Sequence, residues 1–217
     1  MDQLTFKFPF SKKYYEQDFF VSSNNFSAYK LIESWPTWPG KWLNIFGDPG
    51  SGKTHLAKIL EKKIDKIKLV DAKNINNETV QDLNNLECLI IDGFKNNIEE
   101  KLLYSILNQS KQLDNYVLMN SISSIKNINF KLNDLVSRIN SFLYIGIELP
   151  TDDLLKVIIS KTLSDKQIRI NPKISDYIIN NVERSYEKMF KFLKDVDELS
   201  LSTGKSININ LIKKILK

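Results

Sequence analysis

Short apolar runs alternate with amphipathic stretches along the chain as far as Pro150. Runs rich in Leu, Ile and aromatic residues predict five buried strands, at 42–46, 68–71, 88–92, 116–120 and 142–147. Apolar positions three and four residues apart predict helices at about 25–34, 54–64, 79–86 and 98–113. Strands that alternate with helices in this way are typical of a parallel sheet covered by helices.

After Pro150 only helical patterns remain, at about 151–163, 173–182, 186–202 and 208–216. The beginning of the chain differs again, because Leu4, Phe6 and Phe8 alternate with polar residues before Pro9 interrupts the pattern. The sequence therefore predicts an extended peptide at 1–10, an α/β domain at 11–150 and a small all-helical domain at 151–217.

Composition and charge narrow the class of protein. The 217 residues are 42% hydrophobic and 26% charged, which is typical of a globular chain. The net charge of +5 invites a nucleic-acid surface, but the lysines are interleaved with acidic residues, as in 61–68, so that direct DNA binding is expected to be weak or absent. With no apolar run of membrane-spanning length, no signal peptide and a lone Cys88 in an apolar run, we expect a cytoplasmic protein without membrane contact.

The strongest chemical motif is a phosphate-binding loop between the first strand and the next helix. It matches G-x-x-x-x-G-K-[ST] with Gly47, Asp48, Pro49, Gly50, Ser51, Gly52, Lys53 and Thr54. Its glycines let successive backbone N–H groups face phosphate oxygens at the positive end of the following helix. Lys53 would lie near the β- and γ-phosphates, and the Thr54 hydroxyl would help to hold Mg²⁺.

A candidate acidic partner ends the strand at 88–92. Asp92 would hold Mg²⁺ directly or through water, although an aspartate at this position could also simply end a strand and cap a turn. ATPases of this class usually carry a second acid next to it that orients the attacking water, and here that position is Gly93. We therefore expect tight binding of ADP or ATP with slow intrinsic hydrolysis.

These residues resemble the AAA+ ATPases, and within them the DnaA clade, in which Gly52-Lys53-Thr54-His55-Leu56 is a typical sequence. The resemblance extends to residues 18–25, which are similar to the adenine-side segment of that clade and include Phe20 and Val21. It implies that Asn120 is the first sensor residue, that Arg138 is an arginine finger acting on a neighbouring subunit, and that Arg184 opens a lid helix as the second sensor.

Each assignment has a simpler alternative. Arg138 could be a solvated residue before a strand, and Phe19 and Phe20 could be core residues. His55 is the only histidine. The resemblance places it among the nucleotide-binding residues, and it is expected to pack within the helix after the phosphate loop rather than act as an acid or base.

The chain ends where DnaA continues into a DNA-reading domain, and this resembles the Hda regulators, which inactivate the initiator. Gln3, Leu4, Phe6 and Phe8 look like a sliding-clamp-binding peptide, although an edge strand would show the same alternation. The resemblance implies a replisome-associated regulator that binds the β subunit of DNA polymerase III and DnaA, forms a homo-oligomer or a hetero-oligomer with DnaA, and stimulates hydrolysis of DnaA-bound ATP. The alternative is a helicase loader or another AAA+ replication factor that binds DNA directly; a small-molecule kinase is less supported.

Overall fold

The structure is a computed structural model that describes residues 14–168 and 170–216. The described residues form two compact units, which divide between Glu148 and Leu149. The sequence suggests a division two residues further on, after Pro150.

The first unit is built on five parallel strands: β1 (Trp42–Phe46), β2 (Ile67–Asp71), β3 (Cys88–Phe94), β4 (Tyr116–Ser121) and β5 (Leu143–Gly146). Their order in the sheet is β2-β3-β4-β1-β5. The predicted five-stranded parallel sheet is therefore confirmed, and β1 has the predicted bounds. Because β1 pairs with β4 on one side and β5 on the other, the loop after β1 lies beside the end of β4.

Five helices cover the sheet: α1 (Phe26–Glu33), α2 (Lys53–Glu61), α3 (Asn77–Asp82), α4 (Glu100–Gln112) and α5 (Asn133–Ile139). Alternate strand residues supply two apolar cores, so that Leu89 and Ile91 face α3, α4 and α5 while Ile90 contributes to the core with α1 and α2. Cys88 is also fully buried, and burial raises the pKa of its thiol. The sequence did not predict α5, a seven-residue helix that precedes β5.

The second unit contains α6 (Asp152–Ser164), α7 (Pro172–Asn181), α8 (Tyr186–Thr203) and α9 (Ile209–Ile215) around an apolar core of its own. Three of its helices begin at a residue whose side-chain oxygen accepts a backbone N–H bond from the first turn, namely Thr151, Asn171 and Asn208. None of the helices in the described ranges is both long and apolar enough to cross a membrane.

Candidate functional site

The phosphate loop joins the end of β1 to the start of α2. Gly52 precedes α2 with a φ of 98°, a conformation that favours glycine. A Cβ added to Gly52 would lie 2.8 Å from Cε2 of Phe19, so the close approach of that ring also requires glycine. The contact between Phe19 and Gly52 joins segments 33 positions apart in the chain, which is why no local sequence signal predicts it.

Lys53 begins α2, and its ammonium group lies inside the loop. Its Nζ donates to the carbonyl oxygens of Gly47 and Asp48 at 2.6 and 2.9 Å and to Oγ of Ser51 at 3.3 Å. Burial lowers the pKa of Lys53, and the nearby Asp92 and Asp48 carboxylates offset part of this shift. The negative charge of a polyphosphate in the loop would stabilise this partly desolvated ammonium group.

Three polar side chains meet where β3 and β4 end beside α2. Oγ1 of Thr54 donates to Oδ2 of Asp92 at 2.7 Å, and Nδ2 of Asn120 donates to Oδ1 of Asp92 at 2.9 Å. Nδ2 of Asn120 also donates to the carbonyl oxygen of Lys53 at 3.1 Å. The structure therefore brings together the residues predicted for the metal and for the first sensor.

This oxygen-rich arrangement fits Mg²⁺, which binds proteins through one or two carboxylates and completes its shell with phosphate and water. Thr54 and Asp92 would hold the ion, which would neutralise charge on bound phosphates. Oδ1 of Asn120 is buried and has no hydrogen-bond partner among the described residues, so an acceptor remains available at the same place. Within the described ranges no cluster of three or more His, Cys, Asp or Glu side chains forms a protein-only metal site.

The end of β3 is irregular at Gly93. The pairing of β3 with β4 shifts register between Ile91 and Phe94, and Gly93 has a φ of 73°. Any other residue there would adopt a strained left-handed conformation, although its side chain would meet open space. The backbone next to Asp92 is therefore shaped for glycine rather than for a catalytic glutamate.

The segment predicted for the adenine side packs against the start of α2. Nδ2 of Asn25 donates to the carbonyl oxygen of Phe20 at 3.0 Å, and its Oδ1 accepts from the backbone N–H of Ser22 at 2.9 Å, which fixes the turn. The side chain of Phe20 is exposed and that of Val21 is half-buried.

Two rings meet the only histidine. The rings of Tyr14 and Phe19 each contact His55 edge-on with centroids 5.3 Å apart, and Nε2 of His55 lies 2.7 Å from the carbonyl oxygen of Tyr15. His55 thus joins α2 to the segment that precedes it in the chain.

The two candidate arginines lie in different units. Arg138 is in the last turn of α5, where its Nη2 donates to Oδ1 of Asn108 at 2.8 Å. Arg184 pairs with Asp152 at the start of α6. The prediction that Arg184 opens a helix is wrong in detail, because Ser185 is extended and α8 begins at Tyr186.

The candidate clamp residues Gln3, Leu4, Phe6 and Phe8 lie outside the described residues.

Comparisons with known proteins relate the chain to replication initiation proteins. A family model described as "Hda, lid domain" matches residues 152–216, the range that holds α6 to α9. The chromosomal replication initiator protein DnaA of Borrelia duttonii (strain Ly) is 27% identical to the chain over 99% of its length, and the match covers 50% of that protein. The chain thus spans about half the length of the DnaA proteins that it matches at 99% and 95% coverage.

Solved structures share the fold. Domain III of DnaA from Thermotoga maritima superposes with a TM-score of 0.79 at 18% identity, over 96% of this chain and 98% of that one. AMPPCP-bound DnaA from Aquifex aeolicus superposes with a TM-score of 0.69 at 20% identity, over 89% of this chain and 68% of that one. The predicted AAA+ fold with a helical lid is confirmed. By the lid match, the sequence relatives and the shared fold, the chain is similar to AAA+ proteins of the DnaA clade and, over residues 152–216, to Hda.

Proposed function

We propose that the chain is an Hda-like regulator of replication initiation that binds an adenine nucleotide and promotes hydrolysis of the ATP held by DnaA. The observation that carries this proposal is the set of contacts among Thr54, Asp92 and Asn120 beside a Gly93 that adopts a glycine conformation. Such a site has the groups that hold Mg²⁺ and phosphate, but it has no acid at the position that would activate water. The nucleotide bound here would set the shape or assembly of the chain rather than be its substrate.

Catalysis then takes place on a nucleotide bound by the partner. Arg138 is proposed to reach the ATP of a DnaA subunit and to stabilise the charge that develops on the transferred phosphoryl group. An arginine supplied in this way increases the rate of hydrolysis by a factor of about 10³–10⁵. Its half-buried position on α5, with a single neutral hydrogen-bond partner among the described residues, supports this role. The product would be ADP-bound DnaA, and re-initiation would be prevented.

The partners follow from the same proposal. The peptide with Gln3, Leu4, Phe6 and Phe8 would place apolar side chains in a groove of the sliding clamp, while the amide of Gln3 binds at its rim. The protein would act in the cytoplasm at the replisome, as a homo-oligomer or in a hetero-oligomer with DnaA.

A reconstituted reaction tests the proposal. DnaA loaded with ATP is incubated with clamp on DNA and the purified chain, and hydrolysis is followed with time. We expect stimulation that needs both the clamp and the chain, and that is lost when Gln3, Leu4 and Phe6 are changed to Ala. Thr5 and Lys7 alternate with the motif positions, so changing both to Ala is the matched control and should leave stimulation intact. Failure of the wild-type chain to stimulate hydrolysis would overturn the proposal.

A second candidate is a DNA-associated AAA+ module such as a helicase loader. The net charge of +5 favours it, and a DnaA bound to AMPPCP and single-stranded DNA shares the fold with a TM-score of 0.71. Affinity for single-stranded DNA that falls steeply with salt, with a slope that reports several phosphate contacts, would support this candidate. We expect weak or no binding in that assay.

A further inference from the structure

Side chains of α4 contact both ends of α5, the helix that carries Arg138. At the start of α5, the carboxylate of Glu100 accepts the backbone N–H groups of Lys131 and Leu132, at distances between 2.8 and 3.1 Å. At the other end, Oδ1 of Asn108 accepts from Nη2 of Arg138 at 2.8 Å. A helix of seven residues is too short to be stable by itself, so its position depends on such contacts.

Apolar packing joins these two polar anchors. Leu135 and Ile139 of α5 are buried in one cluster with Leu103 and Leu107 of α4. Helix α5 is therefore a rigid support for Arg138, and only the long side chain of that arginine remains to be ordered.

The guanidinium of Arg138 has an unusual environment. Its Nε is buried and has no hydrogen-bond partner among the described residues, and the Asn108 contact is the one hydrogen bond that it makes with them. No carboxylate of the described residues lies within ion-pair distance of it. A buried donor without a partner costs stability, and such groups are found where another requirement keeps them.

The chemistry of the Asn108 side chain explains why an amide suits the position beside Arg138. An asparagine oxygen can fix the orientation of the guanidinium, but it carries no charge that would neutralise it. An aspartate of the same shape would accept the same hydrogen bond more strongly and would compensate the positive charge. An arginine finger must keep its positive charge for an incoming phosphate, so the side chain that orients it should be a neutral hydrogen-bond acceptor.

We propose that Asn108 is a positioning residue for Arg138, which orients the guanidinium while leaving its charge uncompensated. The inference rests on the proposed function, because it needs Arg138 to act on a phosphate of DnaA-bound ATP. A merely structural hydrogen bond would not distinguish Asn from Asp at this position, whereas positioning for catalysis would.

The test compares Asn108→Asp and Asn108→Ala with Arg138→Ala in the full chain, with DnaA–ATP and clamp on DNA. We expect Asn108→Asp to lower stimulation by about tenfold or more, because the carboxylate pairs with the finger. Asn108→Ala should lower it by about 10- to 100-fold, since small misplacements of a reacting group cost rates of that order. Nucleotide affinity, measured on the same samples, should stay near that of the wild type, and Asn108→Asp, which keeps the hydrogen bond to Arg138, should also keep the melting temperature.

The neighbouring amide Gln109 provides the matched control. It lies on the same helix, and its contact is with Asn84 rather than with Arg138. Gln109→Glu adds the same charge one position away and should leave stimulation unchanged. Wild-type stimulation by both Asn108→Asp and Asn108→Ala, with stimulation lost in Arg138→Ala, would overturn the positioning role alone. Full stimulation by Arg138→Ala would exclude the arginine-finger role of Arg138 and, with it, the positioning role of Asn108.

Discussion

The hydroxyl of Thr54 donates a hydrogen bond to the carboxylate of Asp92 over 2.7 Å, although 38 positions separate the two residues in the chain. The contact exists because β1 and β3 are parallel strands of one sheet, so the segments that follow them meet at the same edge. Asn120, at the end of β4, contacts the same carboxylate. The phosphate loop and the candidate metal site are therefore one structure.

The carboxylate of Asp92 should govern the effect of Mg²⁺ on nucleotide binding. We expect Asp92→Asn to remove most of the increase in ADP affinity that Mg²⁺ gives, a loss of about tenfold or more, or ~1.4 kcal/mol. Affinity in the presence of a chelator should change little. Titration calorimetry with and without Mg²⁺ measures both values.

Asp71 is the matched control for that experiment. It ends the adjacent strand β2 and lies in register with Asp92, but it is exposed and pairs with Lys73. Asp71→Asn should keep the wild-type response to Mg²⁺. An unchanged response in Asp92→Asn would exclude Asp92 from the metal site.

The lowered pKa of Lys53 should make nucleotide binding depend on pH. In the free protein burial favours the neutral amine, and a bound polyphosphate would favour the ammonium and raise the pKa again. Affinity should thus be constant below the free-state pKa of Lys53 and fall as the pH rises through it, with proton uptake on binding. Calorimetry over a series of alkaline pH values, in two buffers of different ionisation enthalpy, measures that uptake. Lys53→Arg stays protonated, so it should show none; equal uptake in that variant would assign the proton to another group.

Gly93 should resist conversion into a catalytic acid. Since its φ is 73°, we expect Gly93→Ala to lower the free energy of unfolding by about 1–2 kcal/mol. Gly40 has equally open space for a Cβ and no left-handed backbone, so Gly40→Ala is the control and should cost less. We also expect Gly93→Glu to leave intrinsic ATP hydrolysis slow. Denaturant unfolding and a single-turnover assay check the two outcomes, and rapid hydrolysis by Gly93→Glu would contradict the second.

The sheet could be predicted because each buried strand is a short apolar run between helical patterns. The run at 42–46 corresponds to β1 without any shift, and the phosphate loop follows it directly. The order of the strands could not be predicted, because it depends on pairings between segments far apart in the chain. The short helix α5 was missed for a related reason, since seven residues carry little periodicity and its position is set by α4.

The candidate site also contains residues that local sequence predicts and contacts that only the fold reveals. Local motifs placed Lys53, Thr54 and Asp92, because the chemistry of phosphate and metal binding demands those residue types at fixed positions. The contacts of Phe19 with Gly52 and of Asn108 with Arg138 have no local motif, and tertiary packing alone brings them together. The sequence shows only that position 93 carries no acid, whereas the structure adds that the backbone itself favours glycine there.

Arg138 is proposed to act on a nucleotide bound by another protein. DnaA carrying ATP labelled on its γ-phosphate is mixed, in a single turnover, with clamp on DNA and the chain preloaded with unlabelled ADP. We expect the wild type to release labelled phosphate, and Arg138→Ala to lose about 10³-fold or more of that rate while keeping its ADP and clamp binding. Lys101→Ala, which removes a positive charge from the exposed side of α4, should behave as the wild type. Release of the label by Arg138→Ala at the wild-type rate would contradict the claim.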